Sequence, residues 1–128
     1  MERKPIDRDK TCPFLIRLLW RENEYLTPDC MRNRNEHQGP DEIRLYGWRD
    51  TNFREIADML KEHISGARRK DADFNFSFIR QNLEGGYEVK TVGTIHFSRK
   101  SDLDSVTLHQ LKFVIGDFIV LNLTYSLT

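Results

Sequence analysis

The stretch Thr51-Asn-Phe-Arg-Glu-Ile-Ala-Asp-Met-Leu-Lys-Glu-His-Ile64 decides the fold. Phe53, Ile56, Ala57, Leu60 and Ile64 recur at helical spacing, while Arg54, Glu55, Asp58, Lys61 and Glu62 fall on the other side, so the spacing predicts one amphipathic helix. Thr51, or Asp50 before it, is placed to accept from the free amides of the first turn, and Gly66 to end the helix in the left-handed region. No other segment has this period. A single amphipathic helix needs a sheet to cover its apolar face.

Upstream of the helix, Glu42-Ile-Arg-Leu-Tyr-Gly-Trp48 reads as a strand with Ile43 and Leu45 inward and Tyr46 and Trp48 on the opposite face. Earlier still, Pro13 opens a strand in which Phe14, Ile16, Leu18 and Trp20 share a face and Arg17 marks the other. Between these two strands Arg21 to Asp41 is rich in turn formers, with a short strand or turn expected near Glu24 to Met31. Residues 1–12, charged and carrying Pro5, read as a flexible lead-in, and residues 13–126 as one folded domain.

Downstream, Asp73 to Arg80 reads as a strand with Phe74, Phe76 and Phe78 on one side, Leu83 to Gly86 as a turn, and Tyr87 to Ile95 as the antiparallel return with Tyr87, Val89 and Ile95 on one face. Ser98 to Ser105 is a polar loop, and Thr107 to Leu111 has room for one helical turn. Phe118 to Tyr125 is apolar enough to lie inside the sheet, beside the first strand. The fold class is therefore α+β, a ubiquitin-like β-grasp in which one main helix packs across a mixed sheet.

The length of 128 residues suits one core. Twenty basic and twenty acidic residues cancel, so no overall field recruits nucleic acid or an anionic membrane. No apolar run has the length of a membrane span, and the first ten residues have no signal-like apolar segment, which leads to the expectation of an intracellular protein without a membrane partner. Cys12 and Cys30, with no paired-cysteine motif, read as reduced thiols.

Catalytic and metal chemistry find little support. His37, His63, His96 and His109 are scattered, and Cys30 with His37 does not complete a four-ligand zinc set. Cys12 with His96 or His109 carries no sign of an activated thiolate, and Asp102, Asp104 and Asp117 read as loop and strand-entry residues in preference to an acid-base pair. The expectation is a non-enzymatic protein with no cofactor and no metal. Phe74, Phe76 and Phe78 beside Arg68, Arg69 and Lys70 have the alternation of a strand that stacks on single-stranded RNA, which is the alternative function. Core packing beneath Phe53, Ile56 and Leu60 explains the same rings, so direct nucleic-acid binding is the weaker reading. Arg68, Arg69 and Lys70 read as a solvated helix exit, with nuclear localisation or phosphate contact as their functional alternative. Tyr46, Trp48 and Phe118 alternate with inward residues and, with Arg17, form the candidate partner-binding surface.

Lys4-Pro-Ile-Asp-Arg-Asp-Lys-Thr-Cys-Pro13, Glu42 to Trp48, Arg68 to Phe76 and Thr107-Leu-His-Gln-Leu-Lys-Phe-Val-Ile-Gly-Asp-Phe118 together resemble the small Sin-three-associated polypeptide family of eighteen-kilodalton co-repressor subunits. The likeness runs in order from about Lys4 to Thr124; Arg21 to Asp41 and Ile95 to Asp104 match poorly, and Val120 stands where an acidic residue is common. It implies a ubiquitin-like adaptor of the histone deacetylase co-repressor on a Sin-three-type scaffold. It implies equally a subunit of the apoptosis- and splicing-associated complex, with Acinus or Pinin and an RNA-recognition-motif splicing factor, linked to the exon junction complex. Residence in the nucleus, with the cytoplasm as a second compartment, follows from the same resemblance.

Overall fold

The computed structural model describes residues 7–23 and 41–125. The strand or turn expected near Glu24 to Met31, and the Cys30 and His37 pair, lie outside the described residues. Five strands, β1 (Phe14–Glu22), β2 (Asp41–Gly47), β3 (Ala72–Gln81), β4 (Tyr87–His96) and β5 (Phe118–Tyr125), form one sheet in the order β2-β1-β5-β3-β4. The first and last strands are parallel neighbours at its centre, as their apolar composition requires, and the remaining pairs are antiparallel. One main helix, α1 (Phe53–Leu60), crosses the sheet, with one-turn 3-10 helices at Ser65–Arg68 and Asp102–Ser105. The fold is α+β, and its strand order and one main helix are compatible with a ubiquitin-like β-grasp.

Phe53, Ile56, Ala57, Leu60 and Ile64 are all buried, and the core they meet is the helix-facing side of β1, β3 and β5. Phe53 sits 5.1 Å from Phe76 and 6.0 Å from Phe78, ring centre to ring centre. Each such aromatic contributes about 2–3 kcal/mol by leaving water. Removing one leaves a hole that its neighbours fill only in part.

Three local expectations are corrected. The helix begins later: Asn52, not Thr51 or Asp50, is the N-cap, its side chain accepting from the Glu55 amide while Glu55 accepts from the Asn52 amide. Thr51 is drawn off because its hydroxyl accepts from the Trp48 amide at 2.8 Å and is buried there. Gly66 does not supply a left-handed end either, since the helix closes at Lys61 and Gly66 is absent from the residues with positive φ. It is needed for closeness, because a Cβ there would collide with the Tyr125 hydroxyl.

The third correction concerns β4. Its register against β3 slips between Phe76 and Ser77, so Tyr87 and Val89 share the face of Gln81 and Ile79, whereas Ile95 stands opposite Phe74 in the helix-facing core. A β-bulge adds one residue and moves every later side chain to the other face. Gly93, with φ of 148°, takes the backbone conformation that the bulge demands.

Candidate partner-binding face

The side of the sheet away from α1 has two halves of different chemistry. Toward the ends of β1 and β5 remote from their start, polar residues bond to one another: Asn75 donates to the Asn122 carbonyl and the Thr124 hydroxyl, Thr94 donates to Asn75, and His96 Nδ1 lies 2.6 Å from Asp73. The opposite half is apolar and basic. Leu19, Ile79 and Val120 form a small buried cluster there, with Tyr87 and Phe118 packed against it.

The strand registers set Arg44, Arg17, Phe118, Ile79 and Val89 side by side on five successive strands. Phe118 holds the centre of this row, and Arg17 stands beside it. The Arg17 guanidinium donates to Glu42 at 2.7 and 3.1 Å and lies 4.7 Å from the centre of the Phe118 ring. A cation above an aromatic face is attracted by the ring quadrupole, so Arg17 is held flat while part of its charge stays accessible. Arg44 donates to the other oxygen of Glu42 at 3.3 Å and is well exposed. One step nearer the sheet end, Tyr46 stands opposite Leu15 and is 61% exposed.

Arg17, Phe118 and Tyr46 are thus brought together. Trp48 is not part of their row, because β2 ends at Gly47 and Trp48 turns to the lead-in. Its indole donates to the Thr11 carbonyl at 2.8 Å and Arg8 lies 4.9 Å from its ring centre. Arg8 also donates to Asp50 and Glu55, which fastens the lead-in to the start of α1. The sequence signal for this anchor was present in the Pro-Ile-Asp-Arg lead-in, but its partners lie more than forty residues away.

The other singled-out residues divide. Phe74, Phe76 and Phe78 are buried against α1, so none of the three rings offers a face to a base. All three residues of the basic trio are exposed, but Arg69 is bound bidentately to Asp71 at 2.9 and 2.7 Å and stacks 3.9 Å from the Tyr125 ring centre. Asp104 binds Arg54 and caps its own turn, and Asp117 binds Arg80 bidentately, so both acids that sequence placed in a loop and a strand entry are structural partners of arginines. Burial alone pushes the Asp104 carboxyl up, but hydrogen bonds from Arg54 and Ser101 overcome it and hold the group below its ordinary value. Cys12 is exposed, and among the described residues no group of three or more His, Cys, Asp or Glu side chains gathers as metal ligands.

The family described as Sin3 associated polypeptide p18 (SAP18) matches residues 5–123. The chain belongs to the SAP18 family. The histone deacetylase complex subunit SAP18 of Arabidopsis thaliana is 39% identical over 118 residues, covering 91% of this chain and 77% of that protein. The human protein of the same name is 36% identical over 123 residues, covering 94% of this chain and 79% of its own length. The probable histone deacetylase complex subunit SAP18 of Caenorhabditis elegans is 32% identical over 121 residues, covering 91% of this chain and 71% of that protein. The SAP18 match therefore takes in the row through Arg17 and Phe118 as well as the helix that supports it from behind.

Proposed function

We propose that the protein is a non-enzymatic adaptor subunit of a histone deacetylase co-repressor complex, acting in the nucleus in transcriptional repression. The observation that carries this reading is the identity of 36–39% to histone deacetylase complex subunits over more than nine-tenths of the chain. The immediate partner is a Sin-three-type scaffold with its deacetylase. A second assembly, with Acinus or Pinin and an RNA-recognition-motif splicing factor, links the same subunit to the exon junction complex and to splicing. Arg68 and Lys70, exposed beside the committed Arg69, are the residues offered to an import receptor or a phosphate.

The partner surface in this reading is the apolar and basic half of the open face, where Tyr46, Phe118 and Arg17 stand together. Aromatic rings beside a pre-positioned guanidinium are the kind of group that carries binding energy when water is excluded. Trp48 contributes at the margin, through the lead-in that it holds.

Affinity purification of the tagged chain from its own cells, with RNase treatment and mass spectrometry, tests the assignment. Deacetylase-scaffold subunits or Acinus-like partners are expected to survive RNase. Recovery only of unrelated ribonucleoproteins, lost on RNase treatment, would overturn it. For the surface, Tyr46→Ala is expected to weaken the captured complex by about tenfold or more with the fold unchanged; unchanged affinity would remove Tyr46 and its row from the interface.

A further inference from the structure

Of the two strands that end the sheet, β4 changes character halfway along. From Val92 to His96 its side chains are buried or half-buried, and Leu103 of the Asp102–Ser105 turn comes within 3.4 Å of where a Cβ on Gly93 would stand. Before the bulge, Glu88, Val89, Lys90 and Thr91 are exposed, and among the described residues no strand pairs with the outer edge of β4. An uncovered edge offers a row of backbone donors and acceptors to another extended chain. The bulge and the covering turn limit that offer to Tyr87–Thr91.

The two faces of this short edge differ. On the open face Val89 is 45% exposed and continues the apolar line from Phe118 through Ile79. On the helix side, Phe78 and Leu111 line a cavity of about 220 Å³ whose mouth carries Arg80, Lys90 and Lys112. Asp117 is occupied by two bonds from Arg80 and one from the Val114 amide, which leaves two lysines against the single carboxylate of Glu88. Lys90 is already aimed across the cavity mouth, donating to the Leu111 carbonyl at 3.2 Å.

We propose that Tyr87–Thr91 is a second docking edge, which takes an extended protein segment with alternating aliphatic and acidic residues as a sixth strand. Side chains of a strand alternate between faces, so one register satisfies both sides at once. The aliphatic residues extend the line at Val89, and the acidic ones point to Lys90 and Lys112. Backbone pairing supplies affinity, and the lysines exclude basic segments. This edge meets the surface proposed above only at Val89, the last residue of that row, and lies at the opposite side of the sheet from β2 and Tyr46, so a Tyr46 variant tells the two apart.

The test is titration of the ¹⁵N-labelled full chain with the peptide acetyl-Val-Glu-Val-Glu-Val-Glu-amide, and with the same peptide carrying lysine in place of glutamate. Shift changes confined to Tyr87–Thr91 and the Lys112 loop, with slowed amide exchange in that segment, are expected for the acidic peptide alone. Lys90→Glu and Lys112→Glu should each weaken binding by roughly tenfold, and Tyr46→Ala should leave it unchanged, each variant keeping a dispersed amide spectrum. No shift at millimolar peptide, equal binding of the lysine peptide, shifts centred on Arg17 and Tyr46, or edge pairing between two copies of the chain in sedimentation would overturn the proposal.

Discussion

Arg8 shows how a single side chain ties a lead-in to a folded domain. Its guanidinium donates to both oxygens of Glu55, at 2.8 and 3.2 Å, and to Asp50 at 2.9 Å. The hydrogen bond from Arg8 holds the Glu55 carboxyl below its ordinary value, against the opposing effect of burial and with help from the Asn52 amide. The same bond, accepted by Glu55, raises Arg8. A carboxyl lowered in the folded state gives stability that is complete above its unfolded value of about 4.3 and is lost as pH falls through the folded one. The Arg8 and Glu55 side chains remain 35% and 38% exposed, so solvent screening leaves the contact worth about 0.5–1 kcal/mol. Arg8→Ala is therefore expected to reduce stability by that amount at neutral pH, and the difference should close in urea titrations as pH falls below the ordinary glutamate range. A difference that persisted in acid would assign the effect to packing over Trp48 instead.

Among the elements, β4 depends most on one backbone position. Gly93 has a φ of 148° where the register slips, so the bulge rests on the missing side chain, while Leu103 of the covering turn packs at ordinary contact distance. Gly93→Ala is expected to cost about 1–2 kcal/mol, from backbone strain at that φ, and to speed amide exchange in β4 more than in β1. Uniform acceleration across the sheet would place the effect in global stability alone. A lone glycine inside a strand pattern is itself a bulge signal, and reading it would have put Ile95 on the correct face. The helix start was equally legible, since Asn52 and Glu55 have the spacing of a capping box, but Thr51 and Asp50 offered the same chemistry one and two residues earlier. What sequence conveyed well was periodicity: the apolar face of α1, the three inward phenylalanines, and the central places of β1 and β5. From the last of these the meeting of Arg17 with Phe118 follows. Trp48 could not be placed by alternation because its strand ends one residue before it, and Arg80 with Asp117 is a pairing set by the tertiary fold.

At the scale of the whole molecule, the sheet is two antiparallel pairs held together by one strand. β2 and β1 come before the helix, β3 and β4 after it, and β5, the last to be made, bonds to β1 on one side and β3 on the other. Neither pair covers α1 alone, since its buried face meets residues of β1, β3 and β5 in one core. Unfolding should therefore be a single cooperative event, with the two halves losing structure together. Leu121 is the sharpest probe, because it is fully buried in the helix-facing core and paired with both Trp20 and Phe76. Leu121→Ala is expected to cost about 2–5 kcal/mol and to lower the midpoint equally for both halves. Trp20 and Trp48 fluorescence reports on the β1–β2 half, and amide exchange in β3 and β4 reports on the other. Two separated transitions would mean that each pair is a folding unit by itself and that β5 merely joins them; a shared, lowered midpoint makes β5 the element on which both the open face and the free edge of β4 depend for their rigidity.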